Sequence, residues 1–137
     1  MDKYETVDLK AKHLKLEDFK KVLESDVLKN ISCIEMSFHI EDDLEYEDCW
    51  VGKMPDKDDT NKEIYWYELV EDGSQSYDYN NLEDILNGKV FNGKSICDIW
   101  DKVSWYSLDG CRIEERLPYY IDDNKQQPLR SAPRSFK

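Results

Sequence analysis

Six carboxylates lie within eight consecutive residues, from Glu41 to Asp48, and Trp50 follows two residues later. The six are Glu41, Asp42, Asp43, Glu45, Glu47 and Asp48. Clustered carboxylates can hold a hard cation or meet a basic partner, and a neighbouring tryptophan can anchor such a partner. Neighbouring side chains of a strand point to opposite faces, so these carboxylates would converge on a metal only at a turn. The stretch therefore favours an acidic binding surface with Trp50 beside it over a metal site.

A second set of oxygen ligands follows in the loop that contains Asp56, Asp58 and Thr60, which stand at alternate positions. A calcium loop of this type needs glycine at its sixth position and a bidentate glutamate at its twelfth. This chain has Asn61 and Tyr67 there. We therefore expect a solvated loop, and no metal ligands or cofactor are predicted.

The residue types that most often perform catalysis lack their usual neighbours. His13 and His39 have no nucleophile or second ligand at a motif spacing. The chain has no Gly-x-Ser-x-Gly elbow, no phosphate-binding glycine loop and no Gly-x-Gly-x-x-Gly motif. The cysteines are irregularly spaced without a Cys-x-x-Cys pair, which indicates small buried thiols; they are Cys33, Cys49, Cys97 and Cys111. The pattern favours a non-enzymatic protein.

Hydrophobic periodicity predicts the elements that position these residues. Apolar residues at helical spacing predict a helix from Leu16 to Val27, and alternation predicts a strand over 34–40. The acidic stretch would then be a turn before a returning strand over 46–54, with Tyr46, Asp48 and Trp50 on one face. Further on, the sequence predicts a helix over 82–87 that ends at a left-handed Gly88, and a helix that starts at a capping box over 95–98.

Two Asp-Gly pairs predict hairpins, because this pair suits a two-residue turn. The first, Asp72-Gly73, would join strands over 63–71 and 74–79, and counting outward places Trp66 opposite Tyr79. The second, Asp109-Gly110, would join strands over 104–108 and 111–116. Aromatic residues then fall on both faces of the sheet, and some of them, Trp50 and Trp66 included, should be exposed beside carboxylates.

The composition narrows the class of protein. The chain of 137 residues has 19 basic and 31 acidic residues, a net charge of −12, which repels nucleic acid and anionic lipid. Four Trp, nine Tyr and four Phe argue for a folded chain. No apolar run approaches a membrane span, and the first residues lack the apolar core of a signal peptide, which predicts a cytoplasmic protein. Its richness in Lys, Asn, Asp and Tyr fits an AT-rich bacterial genome.

These patterns predict a single α+β domain over residues 1–120, followed by a basic, proline-containing tail or extended arm over 121–137. The domain would be an antiparallel sheet of five or six strands with three short helices mainly on one face. We expect a monomer or homodimer that binds a basic protein partner through an acidic, aromatic surface. One version is an immunity or inhibitor protein that masks a cationic toxin or nuclease. The alternative is a small enzyme or carbohydrate-binding domain that uses the Tyr/Trp face with one or two carboxylates.

Overall fold

The computed structural model describes residues 12–27, 33–59 and 61–121. Within them the strands are β1 (Ile34–Ile40), β2 (Cys49–Pro55), β3 (Glu63–Glu68), β4 (Ser76–Tyr79) and β5 (Val103–Leu108). The α-helices are α1 (Leu16–Glu24), α2 (Leu82–Asn87) and α3 (Ile113–Ile121), and single 3₁₀ turns occupy Leu44–Tyr46 and Trp100–Lys102. The predicted α+β fold is confirmed, with a five-stranded antiparallel sheet and three helices. None of the described helices is long and apolar enough to cross a membrane.

The strands lie in the order β4-β3-β2-β1-β5. The first four follow one another as hairpins, and β5 returns to pair antiparallel with the free side of β1. Buried residues of all three helices, among them Phe19, Leu23, Ile85 and Ile113, join the same hydrophobic core as the inward side chains of the strands. The described helices therefore pack on one face of the sheet, as predicted, and none of them lies on the other face.

The core is built where β1 and β5 meet α1. Phe38 and Trp105 are fully buried cross-strand partners with ring centroids 4.9 Å apart. Phe19 of α1 packs on Trp105 at 5.0 Å and on Trp100 at 5.2 Å. Offset and tilted aromatic pairs at such distances add to the free energy of burial, so this cluster holds α1 against the sheet.

The helix predicted after the capping box does not form. The box itself is present, since Asp98 Oδ2 accepts from the Ser95 amide at 2.9 Å and Ser95 Oγ accepts from the Asp98 amide at 3.1 Å. The chain then makes turns and a single 3₁₀ turn at Trp100–Lys102, because Val103 already pairs with β1 as the first residue of β5. Sheet pairing therefore overrides the local helical signal.

The third helix is α3, where the sequence predicts the strand over 111–116. The Asp109-Gly110 turn does form, with φ of 54° and 80°, and Leu108 pairs with Cys111. The helix that follows is fastened to this turn, since Asp109 Oδ2 accepts from Arg116 Nε at 3.0 Å and from the hydroxyl of Tyr120. The turn prediction is right and the strand prediction is wrong, because the chain after Gly110 buries its apolar residues at helical spacing.

The predicted N-terminal cap of α2 forms, but its predicted C-terminal stop does not. Asn81 caps α2 by accepting from the Asp84 amide at 2.8 Å, but Gly88 is not left-handed, with φ −63°. A Cβ at Gly88 would collide with the hydroxyl of Tyr79, which accounts for the glycine.

Cys33 and Cys111 are exposed, so the prediction of buried thiols is wrong for these two. The predicted tail lies outside the described residues except for Ile121, the last residue of α3.

Candidate functional site

The pairing of β3 with β4 decides which side chains lie on the face of the sheet that no described helix covers. Trp66 pairs with Asp78, one residue away from the predicted partner Tyr79. The connection over 69–75 is wider than a two-residue turn, with Leu69 N bonded to Gln75 O at 3.0 Å, and of its residues only Gly73 has positive φ. A shift of one residue exchanges the faces of a strand, so Tyr77 and Tyr79 lie on the core side and Asp78 lies beside Trp66.

Cross-strand partners share a face, so the observed register defines the surface of the sheet that no described helix covers, here called the open face. Its strand residues by register are Glu35, Ser37, His39, Trp50, Gly52, Met54, Ile64, Trp66, Glu68, Ser76, Asp78, Ser104 and Ser107. Tyr106 of β5 joins them through its ring stack on His39. None of these described residues is Lys or Arg. Met54 is 38% exposed, and Trp50, Ile64 and Trp66 are half-buried, so the part of the open face formed by β2 and β3 is apolar with solvent access. The open face is therefore an aromatic surface whose only charged strand residues are carboxylates, with His39 as the one further titratable base.

Trp66 lies across β2, on the backbone of Gly52. A Cβ at position 52 would lie 2.5 Å from Cζ2 and 2.8 Å from Cε2 of the indole, too close for a real contact. Glycine therefore creates the space in which this ring rests. The indole Nε1 is buried and has no hydrogen-bond partner among the described residues. An unpaired buried donor costs free energy, and the core residue Trp105 carries the same cost, since its Nε1 has no partner among the described residues either.

Trp50 lies on the open face, opposite Ser37 of β1 and Glu68 of β3. The predicted grouping of Tyr46, Asp48 and Trp50 on one face is wrong. Tyr46 ends a 3₁₀ turn, is buried on the core side and donates to Gln75 Oε1 at 3.0 Å. Because that turn breaks the alternation before β2 begins at Cys49, Tyr46 can be buried while Asp48 is exposed and Trp50 lies on the open face.

The predicted acidic stretch is divided between different surroundings. Glu47 and Asp48 are exposed near Tyr106, and burial together with these carboxylates raises the pKa of that phenol. The ring of Tyr106 stacks on His39 of the open face, with centroids 5.0 Å apart. Glu47 and Asp48 thus border the open face.

Glu41 lies at the end of β1, where it accepts from Ser104 Oγ at 2.5 Å and pairs with His13 Nε2 at 3.1 Å. The hydrogen bond from Ser104 and the nearby histidines lower its pKa. The carboxylate stands between the hydroxyl and the imidazole, so His13 cannot take the Ser104 proton as the base of a catalytic triad would. This group is therefore a structural contact.

The remaining acids lie away from the open face. Asp42 and Asp43 border a cleft of about 170 Å³ whose rim also holds Lys94 and Lys102. Asp43 additionally caps the 3₁₀ turn, and Glu45 accepts from Gln75 Nε2 at 2.9 Å. The eight predicted site residues therefore do not form one site. Of the six predicted acids, Glu47 and Asp48 border the open face, on which Trp50 and Trp66 lie.

Sequence reasoning missed the three carboxylates within the open face, Glu35, Glu68 and Asp78. Each is exposed, and none has an ion pair with another described residue. The strand alternation around Trp66 would have found Glu68, but Asp78 needs the true register. Among the described residues, no group of three or more His, Cys, Asp or Glu side chains is close enough to hold a metal ion.

Comparison of the chain with protein-family models, curated proteins and solved structures finds no match.

Proposed function

We propose that this protein is a non-enzymatic binding domain that engages a basic protein partner through the open face. The observation that carries this proposal is the combination of half-buried Trp50 and Trp66 with Glu35, Glu68 and Asp78, which have no ion pair within the described part of the chain. The described strand residues of this surface include no Lys or Arg. Such a surface offers apolar area to a partner and charge of a single sign.

The two components act at different stages of association. The net charge of −12 attracts a basic partner from a distance, although salt screens this attraction beyond roughly 8 Å at physiological ionic strength. At contact, desolvated tryptophans provide most of the binding energy, and the surrounding carboxylates fix orientation and reject acidic surfaces. Glu47 and Asp48, which border the open face, extend the same field.

The specific version of the proposal is an immunity or inhibitor protein of the cytoplasm. A cationic toxin or nuclease presents basic groups where it meets its own anionic substrate, and an acidic surface can mask those groups. This version is supported by the negative charge of the open face and by the acidity of the whole chain.

The direct test is affinity capture with two charge-matched variants. Glu68→Lys/Asp78→Lys changes the open face, and Glu24→Lys/Asp101→Lys changes exposed residues outside it. Both raise the net charge of −12 by four units, because two carboxylates become two ammonium groups. The wild type and the Glu24/Asp101 variant should retain the same basic protein, eluted by salt, and the Glu68/Asp78 variant should lose it.

Equal retention by the two variants would remove the open face from the proposal. A purified partner then allows kinetics, where the Glu68/Asp78 reversal should slow association and flatten its salt dependence. Binding of a neutral oligosaccharide that is insensitive to salt and abolished by Trp66→Leu would instead support the carbohydrate-binding alternative.

A further inference from the structure

The surroundings of Trp66 suggest which basic side chain the open face prefers. Its direct cross-strand partners are Asp78 on β4 and Gly52 on β2. Gly52 in turn pairs with Glu35 on β1, and Glu68 lies two residues from Trp66 on β3. Direct partners in a sheet have Cβ atoms about 5 Å apart, and two residues along a strand span about 7 Å. Carboxylates from three strands therefore lie within side-chain reach of one indole.

This arrangement distinguishes arginine from lysine. A guanidinium is planar and weakly hydrated, stacks on aromatic rings and donates in a fork that matches a carboxylate. An ammonium is compact and strongly hydrated, so it gains from the charge of the carboxylates but less from the ring. The three carboxylates make no ion pair with another described residue, so binding a cation breaks none. The indole is half-buried, with part of its surface open to solvent.

We propose that Trp66, with Glu35, Glu68 and Asp78 around it, is an arginine-selective site of the open face. It takes an arginine side chain of the basic partner, which stacks on the indole while its N–H groups donate to the carboxylates. The inference rests on the proposed function, and it adds the chemical identity of the contact. Gly52 is part of the site because it keeps the indole lying over β2.

Two peptides of equal charge test it: hexa-arginine and hexa-lysine, titrated against the full chain by fluorescence anisotropy at fixed salt. The wild type should bind hexa-arginine about two- to fivefold more tightly than hexa-lysine, the size of an exposed cation–π contact. Trp66→Leu should remove this preference with little change in hexa-lysine affinity, and Trp66→Phe should keep part of it. Glu68→Gln/Asp78→Asn should weaken both peptides.

Circular dichroism of each variant confirms that it is folded before titration. Equal affinity of the wild type for the two peptides, or a preference that survives Trp66→Leu, overturns the arginine site but leaves the proposed function intact if Glu68→Gln/Asp78→Asn still weakens binding. Peptide binding that is unchanged in that carboxamide variant overturns both. Concentration-dependent dimerisation that Trp66→Leu abolishes would assign the open face to a second copy of the chain and also overturn the arginine site.

Discussion

Replacing Lys53 by methionine should lower the free energy of unfolding by about 3–4 kcal/mol. The Lys53 side chain is only 2% exposed, although it carries a charge. Its Nζ donates to Leu23 O at 2.8 Å and to Ser25 O at 2.7 Å, and it pairs with Glu63 Oε1 at 3.2 Å. The ammonium therefore satisfies two carbonyls at the C-terminus of α1, where a cation also complements the helix dipole.

The size of this loss in the free energy of unfolding follows from the groups that the substitution leaves without a partner. Methionine fills most of the lysine volume, so the cavity contribution is small. One buried and one partly buried carbonyl lose their donor, at roughly 1–3 kcal/mol each, and Glu63 loses its counter-ion. Breaking a buried ion pair on one side costs about 3–5 kcal/mol. Because the Glu63 side chain is 22% exposed, water compensates part of that loss and the lower half of the range applies.

Urea denaturation followed by tryptophan fluorescence measures the effect, with Lys62→Met as an exposed control that should stay within about 0.5 kcal/mol of the wild type. Glu63→Gln should cost about 1–2 kcal/mol, because the carboxamide oxygen of the new side chain still accepts from the Val27 amide that Glu63 Oε2 binds at 3.1 Å. The double variant should lose less than the sum of the two single losses. Additive losses, or a Lys53→Met protein within about 1 kcal/mol of the wild type, would refute the reasoning.

Three further predictions concern other sites. Gly52→Ala should lower stability by about 1–3 kcal/mol in the same denaturation assay, because the new Cβ would collide with the Ile34 carbonyl of β1 as well as the indole above it; unchanged stability would contradict this. A thiol reagent at neutral pH should label exposed Cys33 in the folded protein and Cys49 only in urea, since Cys49 is buried and burial raises its pKa to about 12; rapid native labelling of Cys49, read by mass spectrometry, would contradict its burial. Burial also raises the pKa of the Tyr67 phenol well above 10.0, so the stability that it and Cys49 contribute should be complete below about pH 9 and fall as the pH rises further, because only the unfolded chain ionises there. A flat stability profile from about pH 8 to about pH 11 would count against that linkage.

Elements with a local physical cause could be predicted from the sequence. The alternation over Ile34–Ile40 appears as β1 with the expected face buried, because a period of two places every second side chain on one side of the sheet. The cap at Asn81 starts α2 where expected, since a side-chain oxygen satisfies a free amide of the first turn without help from distant residues. The fold class followed from the sum of such segments.

Elements that depend on contacts with residues distant in the sequence could not be predicted from it. The capping box over 95–98 forms its hydrogen bonds, yet no α-helix follows it, because Val103 pairs with Ile40 in the sheet. The segment after Gly110 becomes α3, held by Asp109 through Arg116 and Tyr120. In each case the free energy of tertiary contacts exceeds a local preference of about a few tenths of a kcal/mol per residue.

In the candidate site, too, some features follow from local sequence and others from contacts between distant residues. By itself the sequence determined an acidic, aromatic-rich α+β domain, and it predicted that Trp50 and Trp66 lie exposed beside carboxylates, whereas both are half-buried. The tertiary structure decided which carboxylates those are, because the register of β3 and β4 places Tyr77 and Tyr79 on the core side with Tyr67 and leaves Asp78 beside Trp66. The Asp-Gly signal is local, whereas the register also depends on which side chains pack into the core, which is decided only in the assembled sheet.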